Sequence, residues 1–254
     1  MAYQFDFIPV LQNADLLLRG ALFTLELTAI GTLLGVSVGI VGAIVRAWKI
    51  QPFSAIFGVY VELIRNTPFL VQLFFVFFGL PSLGVHIGEI EAAVLAMTVN
   101  LGAYATEIVR AGIDSIPRGQ VQAAMALGLR GPHVFRHVVL PQALANVFPA
   151  LLGQVLIVML GSAVVSQISV PDLTHAASFI QSRNFRSFEC YVIVTAIYLL
   201  LSIVLRLLIN RLGKRLFAGR AARGVTIAPR RGLRGLFSVR AAVVDPGLPK
   251  ERSR

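Results

Sequence analysis

Only one cysteine, Cys190, stands in this chain of 254 residues, so no disulfide can close within it. Charge is scarce as well. Asp, Glu, Lys and Arg make up 14% of the residues against 56% hydrophobic ones, with a mean hydropathy of +0.78. That balance excludes an ordinary soluble domain and places the chain among proteins that cross a membrane several times. No G-x-x-x-x-G-K-[ST] phosphate loop occurs, since Lys214 follows Gly213 but precedes Arg215, and no nucleophile elbow occurs either. The chain is therefore expected to be no enzyme, to hydrolyse no ATP itself and to need no cofactor. His133 and His137, four residues apart, could share a helix face. No further ligand types cluster near them, so a solvated or partner-facing pair is expected rather than a metal site. The N-terminus lacks the basic start and cleavage pattern of a secretory signal and carries Asp6 and Asp15 instead, so it is expected to stay in the mature chain.

Acidic residues are the scarcer sign, 12 against 23 Lys and Arg, for a net charge of +11. Such an excess would suit a nucleic-acid partner, but its placement argues otherwise. From Gly219 onward nine cations meet only Asp245 and Glu251. A local excess after the last apolar run reads as a cytoplasmic tail facing anionic lipid, and no nucleic-acid partner is expected. Residues 216–254, rich in Arg, Gly and Pro, are expected to form a basic, disordered tail.

Long hydrophobic runs are what the chain has in abundance. Five are expected as spans of the lipid bilayer: residues 20–47, 52–80, 90–110, 141–168 and 189–210. In the first, Gly31, Gly35 and Gly39 recur every four residues, a smooth stripe for close contact within the chain or with a second copy. The second, read as one helix, would be roughly 42 Å long and would put Arg65 near mid-depth. An ionisable group there must face protein, water or substrate. Two blander arrangements stay open. Glu62 and Arg65, three apart, can pair on one face, or residues 52–66 can lie along the interface with only 68–80 embedded. In the third run Asn100, Tyr104 and Glu107 share a side and serve equally as interhelical glue or substrate contacts. In the fourth, Asn146, Gln154, Ser162, Ser166 and Gln167 suit a helix beside an aqueous cavity or a packed one. Residues 170–188 are polar enough to lie outside, with a short surface helix before Asn184.

Between the third and fourth runs lies a polar, basic interruption, residues 119–141 within a loop of 111–141. Pro117 fits a first helical turn and Gly128 a left-handed residue past a helix end, which predicts a short helix over 118–127. Ala123, Ala124 and Ala126 would let another protein's surface come close, while Val121, Leu127 and Leu129 offer apolar contacts. Gln122-Ala123-Ala124, then Gly128, then Val138, Leu140 and Pro141 stand in a spacing that resembles the EAA loop of the membrane permease subunits of binding-protein-dependent ABC importers. Residues 60–81, YVELIRNTPFLVQLFFVFFGLP, and 20–40, GALFTLELTAIGTLLGVSVGI, are similar to the polar amino-acid branch of that family. Gln122 replaces the motif's glutamate and Asn66 a usual glycine.

The resemblance implies an all-α integral membrane protein with five transmembrane helices, a type I importer (MetI-like) permease fold with a cytoplasmic coupling helix, and a multi-pass place in the bacterial inner membrane. Residues 1–17 would form an extracytoplasmic segment and residues 18–215 the permease domain. Implied partners are two ABC ATPase subunits, a second permease subunit, identical or homologous, an extracytoplasmic solute-binding protein and an amino-acid substrate. Arg118, Gly119, Gln122, Ala123, Ala124, Leu127 and Gly128 would couple to the ATPase. A zwitterionic substrate needs donors for its carboxylate, for which Arg65, Asn66 and Thr67 are candidates, and an acceptor for its ammonium, for which Glu62 is one. Asn100, Gln154 and Ser162 are candidates for neutral lining. A permease for another small polar solute, or an ATP-independent channel, is the alternative. The cations of 46–49, Arg110, Arg118, Arg130, Arg136 and the tail share one face, which the positive-inside rule makes cytoplasmic: N-out, C-in.

Overall fold

The computed structural model describes residues 5–217, which form helices and their connections with no strand among them. The helices are α1 (Ile8–Leu11), α2 (Ala14–Ala47), α3 (Phe53–Arg65), α4 (Phe69–Ser82), α5 (Glu89–Asp114), α6 (Arg118–Ala126), α7 (Gly131–Ile168), α8 (Leu173–Asn184) and α9 (Ser187–Phe217). All of the tail beyond Phe217, and residues 1–4, lie outside the described residues.

Four helices, α2, α5, α7 and α9, are long and apolar enough to cross a bilayer. Of the arrangements open for residues 52–80, the single straight helix is not found: α3 and α4 meet at a bend of 113°. The cause is local. Pro68 takes an extended backbone, φ −64° and ψ 140°, and a proline disfavours helical geometry in the residue before it, so α3 ends at Arg65 and a new helix starts at Phe69. The bent pair still completes a pass. Gly31, Gly35 and Gly39 of α2 face Met97, Leu101 and Ala105 of α5 in the same order, so the two helices run parallel and the chain must return between them. Counting the bent pair as one span gives five passes among the described residues.

The glycine stripe is thus used within the chain. A Cβ at Gly35 would lie 2.8 Å from Leu101 Cβ, and one at Gly39 would collide with Ala105. Small residues let the two backbones approach to a separation that larger ones would prevent. α5 is the centre of the bundle, with 56% of its apolar window buried against 6% for α9, which lies at the periphery. Leu27, Leu73, Met97, Leu101 and Val165 build the largest shared core.

Two π turns interrupt helices at the same place relative to a proline. Phe75–Gly79 precedes Pro81 and Phe135–Val139 precedes Pro141. A proline has no N–H for the carbonyl four residues earlier, and a widened turn lets the helix continue past the missing bond. Gln142 Nε2 adds a donor there, 2.8 Å from the Val138 carbonyl.

The helix expected near residues 173–184 exists but does not lie on the surface. Leu173, Ala176, Ala177 and Ile180 are buried, packed against Leu17, Ala21 and Val194. Its N-cap, Asp172, is buried, accepts the His175 N–H at 2.8 Å and the Tyr198 hydroxyl at 3.3 Å, and has its backbone pressed against Gly20. Burial pushes the Asp172 carboxyl above its ordinary pKa, partly offset by the His175 and Thr174 N–H groups and the Tyr198 hydroxyl. A carboxyl raised in the folded state stabilises when protonated, and that contribution is lost as pH rises from the ordinary carboxylate range, near about 3.9, through the raised value. Asp172→Asn should therefore flatten the pH dependence of thermal stability and raise stability at neutral pH. Asp172→Ala, which also removes the cap, should cost about 1 kcal/mol instead. Melting curves of the three proteins across that range would test this; parallel pH profiles for wild type and Asp172→Asn would refute it.

Candidate functional site

α6 forms where it does because Pro117 caps it, with φ −59° and ψ 130°, one position before the expected first turn, and because Gly128 closes it at φ +80°. Val121 and Ala124 anchor it on a cluster of Ile116, Val134, Phe135, Val139 and Ala143, tied to the end of α2 by Trp48 packing edge-on to Phe135 at 5.0 Å. Ala124 is thus turned inward rather than offered to a partner. The opposite face is open. Arg118, Gly119, Gln122 and Ala123 are exposed, Leu127 is 83% exposed, and nothing lies within 4 Å of a Cβ placed at Gly119. A short helix that is held from beneath and presents small and apolar residues outward is suited to insertion into another protein's groove.

At this same end of the bundle a chain of ion pairs ties α2 to α5. Arg46 pairs with Glu107, Glu107 with Arg110 at 3.0 Å, and Arg110 with Asp114 at 2.8 Å. The Glu107–Arg110 contact is visible in sequence from its three-residue spacing; Arg46 is not, because its partner is 61 residues away. His133 and His137 stack nearby in sequence with ring centroids 5.7 Å apart and both rings exposed, and no group of three or more metal-ligating side chains occurs among the described residues.

The candidate pathway residues gather around the α3–α4 break, though not as the sequence pairs them. Glu62 and Arg65 take separate partners. Asn66 Nδ2 donates to the Glu62 carbonyl at 2.7 Å and to its carboxylate at 3.1 Å, while the Arg65 guanidinium lies 5.5 Å from the Tyr104 ring centroid on α5. Thr67 Oγ1 donates to the Leu63 carbonyl at 2.9 Å. Just beyond the break, a cavity of about 80 Å³ is lined by Phe69, Met97, Asn100, Ile157, Val158 and Gly161, so Asn100 does reach a hollow between α4, α5 and α7. Ser162 does not open into it: the residue is fully buried and its hydroxyl donates to the Met159 carbonyl at 2.7 Å. Gln154 is half-buried one turn earlier in α7 than Ile157 and Val158. Gln72, buried and bonded to both Thr67 and Asn100, is a structural neighbour of the break that sequence reading missed. Its signal was a lone amide inside the apolar run of 69–80.

Comparison with known proteins sets this geometry in a wider group. The family described as binding-protein-dependent transport system inner membrane component matches residues 31–218. An arginine transport system permease protein of Bacillus subtilis (strain 168) is 33% identical over 201 residues, 79% of this chain and 92% of that protein. A glutamine transport system permease protein of Escherichia coli (strain K12) is 33% identical over 215 residues, 84% of this chain and 98% of that one. Among solved structures, a chain of an amino acid ABC transporter crystallised with histidines superposes with a TM-score of 0.77 at 36% identity, covering 84% of this chain and 100% of its own. A methionine ABC transporter in inward-facing conformations, 24% identical with a TM-score of 0.61, shares the fold over 81% of this chain and 96% of its own.

Proposed function

Because the chain belongs to the binding-protein-dependent transport system inner membrane component family, we propose that it is the membrane-spanning permease subunit of an ABC importer for polar amino acids in a bacterial inner membrane. The relatives that carry arginine or glutamine in their names support that substrate class. The observation that carries the coupling role is α6, anchored through Ala124 and exposing Gln122, Ala123 and Leu127. In this reading α6 docks on a cytoplasmic ATPase, the end with Arg46, Lys49, Arg118, Arg130 and Arg136 faces the cytoplasm, and the α8 end faces an extracytoplasmic solute-binding protein. Two ATPases and a second permease subunit, identical or homologous, complete the assembly.

Transport proceeds by alternating access. The solute-binding protein delivers substrate at the α8 end, and ATP binding draws the ATPases together. Their movement reaches the bundle through α6 and the directly preceding end of α5. Nucleotide must favour one orientation of the cavity over the other, since only a difference in affinity between two states shifts their populations. At the α3–α4 break, Arg65 supplies donors suited to a carboxylate and Glu62 an acceptor suited to an ammonium, while Asn66 and Thr67 would have to release Glu62 and the Leu63 carbonyl to join them, and all four are exposed.

Copurification of the chain with its membrane complex, followed by ATPase assays with the binding protein and a panel of amino acids, tests the whole reading. Retention of an ATPase stimulated by one loaded binding protein supports it. Loss of every ATPase even after crosslinking through residues 118–128, with solute flux persisting without ATP, would establish a facilitator instead. Glu62→Ala and Arg65→Ala should each lower uptake by at least about ten-fold, the scale of one lost charge-assisted contact, while the complex still assembles. Normal uptake by both would remove them from the pathway.

A further inference from the structure

Gln72 lies in the run Phe69–Phe74 with 8% of its surface exposed, where an amide has no water to turn to. Its Nε2 donates to the Ile64 carbonyl at 2.7 Å, the Thr67 carbonyl at 3.0 Å and Thr67 Oγ1 at 2.9 Å. Its Oε1 accepts from Asn100 Nδ2 at 2.9 Å. The Ile64 carbonyl is the one whose helical donor would be the residue at position 68, and that residue is Pro68, which has no N–H. The backbone amide of Thr67 reaches the same carbonyl only at 3.4 Å. One side chain therefore replaces the bond that the proline removes and extends the repair to α5.

The far end of that bridge is placed for transmission. Asn100 lines the cavity beside Phe69, and α5 continues from Asn100 to Asp114, just before α6. We propose that Gln72 is a positioning residue that clasps the α3–α4 break to Asn100, so that displacement of α5 moves the Phe69 wall of the cavity and the break as one body. Gln72 itself need not touch substrate. The role rests on the transport reading above, but the clasp itself can be tested without transport.

In the full reconstituted complex, Gln72→Leu keeps side-chain volume and suits the apolar surroundings. It should lower maximal uptake by about ten-fold, the scale of a lost buried hydrogen-bond set, with KM and basal ATP hydrolysis within about two-fold of wild type. Asn100→Leu should lower uptake similarly, and the double variant should be no worse than either single one, because each breaks the same link. Additive losses would make Asn100 a direct substrate contact and overturn the clasp, as would normal uptake by Gln72→Leu. Hydrogen exchange on the purified chain provides the arm independent of transport. The Asn66 and Thr67 amides should exchange at least about ten-fold faster in Gln72→Leu and unchanged in Asn100→Leu, which leaves the repair of the break intact. Unchanged exchange in Gln72→Leu would overturn the proposal even if the complex transports something else. Should Gln72→Leu fail to fold, Asn100→Leu decides: retained wild-type uptake by that variant refutes the link.

Discussion

Gly39→Leu should leave little or no correctly assembled chain in the membrane. A side chain at that position collides with Ala105 and comes within 2.9 Å of the Ala105 carbonyl carbon and 3.0 Å of the Thr106 backbone nitrogen. Backbone atoms cannot swing aside as the tip of a flexible side chain can, so α2 and α5 must separate, and the contacts of Gly35 with Leu101 go with them. Overpacking in a core that can adjust costs about 1–3 kcal/mol. Here the central seam of the bundle is lost, a large fraction of the roughly 5–15 kcal/mol that holds a typical protein folded. Gly31→Ala provides the graded control, because its new methyl would meet Met97 Cβ at 3.3 Å, and Gly58→Ala the neutral one, because nothing lies within 4 Å there. Yield of monodisperse detergent-extracted protein and its melting temperature should fall in the order Gly58→Ala, Gly31→Ala, Gly39→Leu. A Gly39→Leu protein that melts with the wild type would show that the seam opens easily.

Leu127→Asp should do the opposite, sparing the fold and abolishing transport. Leu127 is 83% exposed beside Gly128, so a carboxylate there is solvated and costs the isolated chain little. Within a partner's groove the same carboxylate replaces an apolar anchor and must be desolvated. Interface residues of that kind cost about 2 kcal/mol or more when lost, so uptake should fall by at least about 30-fold together with retention of the ATPase. Ala124→Leu supplies the contrast, since Ala124 is 6% exposed and faces the cluster of Ile116, Val134 and Phe135. That variant should lose thermal stability first and coupling as a result. Comparable ATPase retention in wild type and Leu127→Asp would show that α6 is not the docking element.

Much of this architecture could be read from sequence because it depends on local signals. The long apolar runs mark α2, α5, α7 and α9, and the pairing of Pro117 with Gly128 marks both ends of α6. The glycine stripe announces a close contact, although not whether the contact lies within one chain or between two; Met97, Leu101 and Ala105 answer that only in three dimensions. The break at Pro68 was also written locally, in the polar run Arg65-Asn66-Thr67 before the proline, but that signal alone does not decide between a break and a continuous helix, since a membrane helix tolerates proline where neighbours supply the missing bonds. Here Gln72 supplies them without keeping the helix straight. The separation of Glu62 from Arg65, the inward turn of Ala124 and the buried face of α8 were not legible, because each depends on what an adjacent helix presents. Arg46 and Glu107 lie 61 residues apart and meet only once α2 and α5 run side by side.

The lone thiol of Cys190 is fully buried, with its sulfur 3.4 Å from the Ala177 carbonyl. Its counterpart is α9, whose outward residues Leu200 and Leu207 are 60% and 49% exposed. A cysteine introduced at either position would be the accessible thiol among the described residues, so a spin label or environment-sensitive fluorophore could be attached there without first removing the native one. The fluorescence or spin-label signal at either site could then report changes around α9 during transport in a lipid nanodisc.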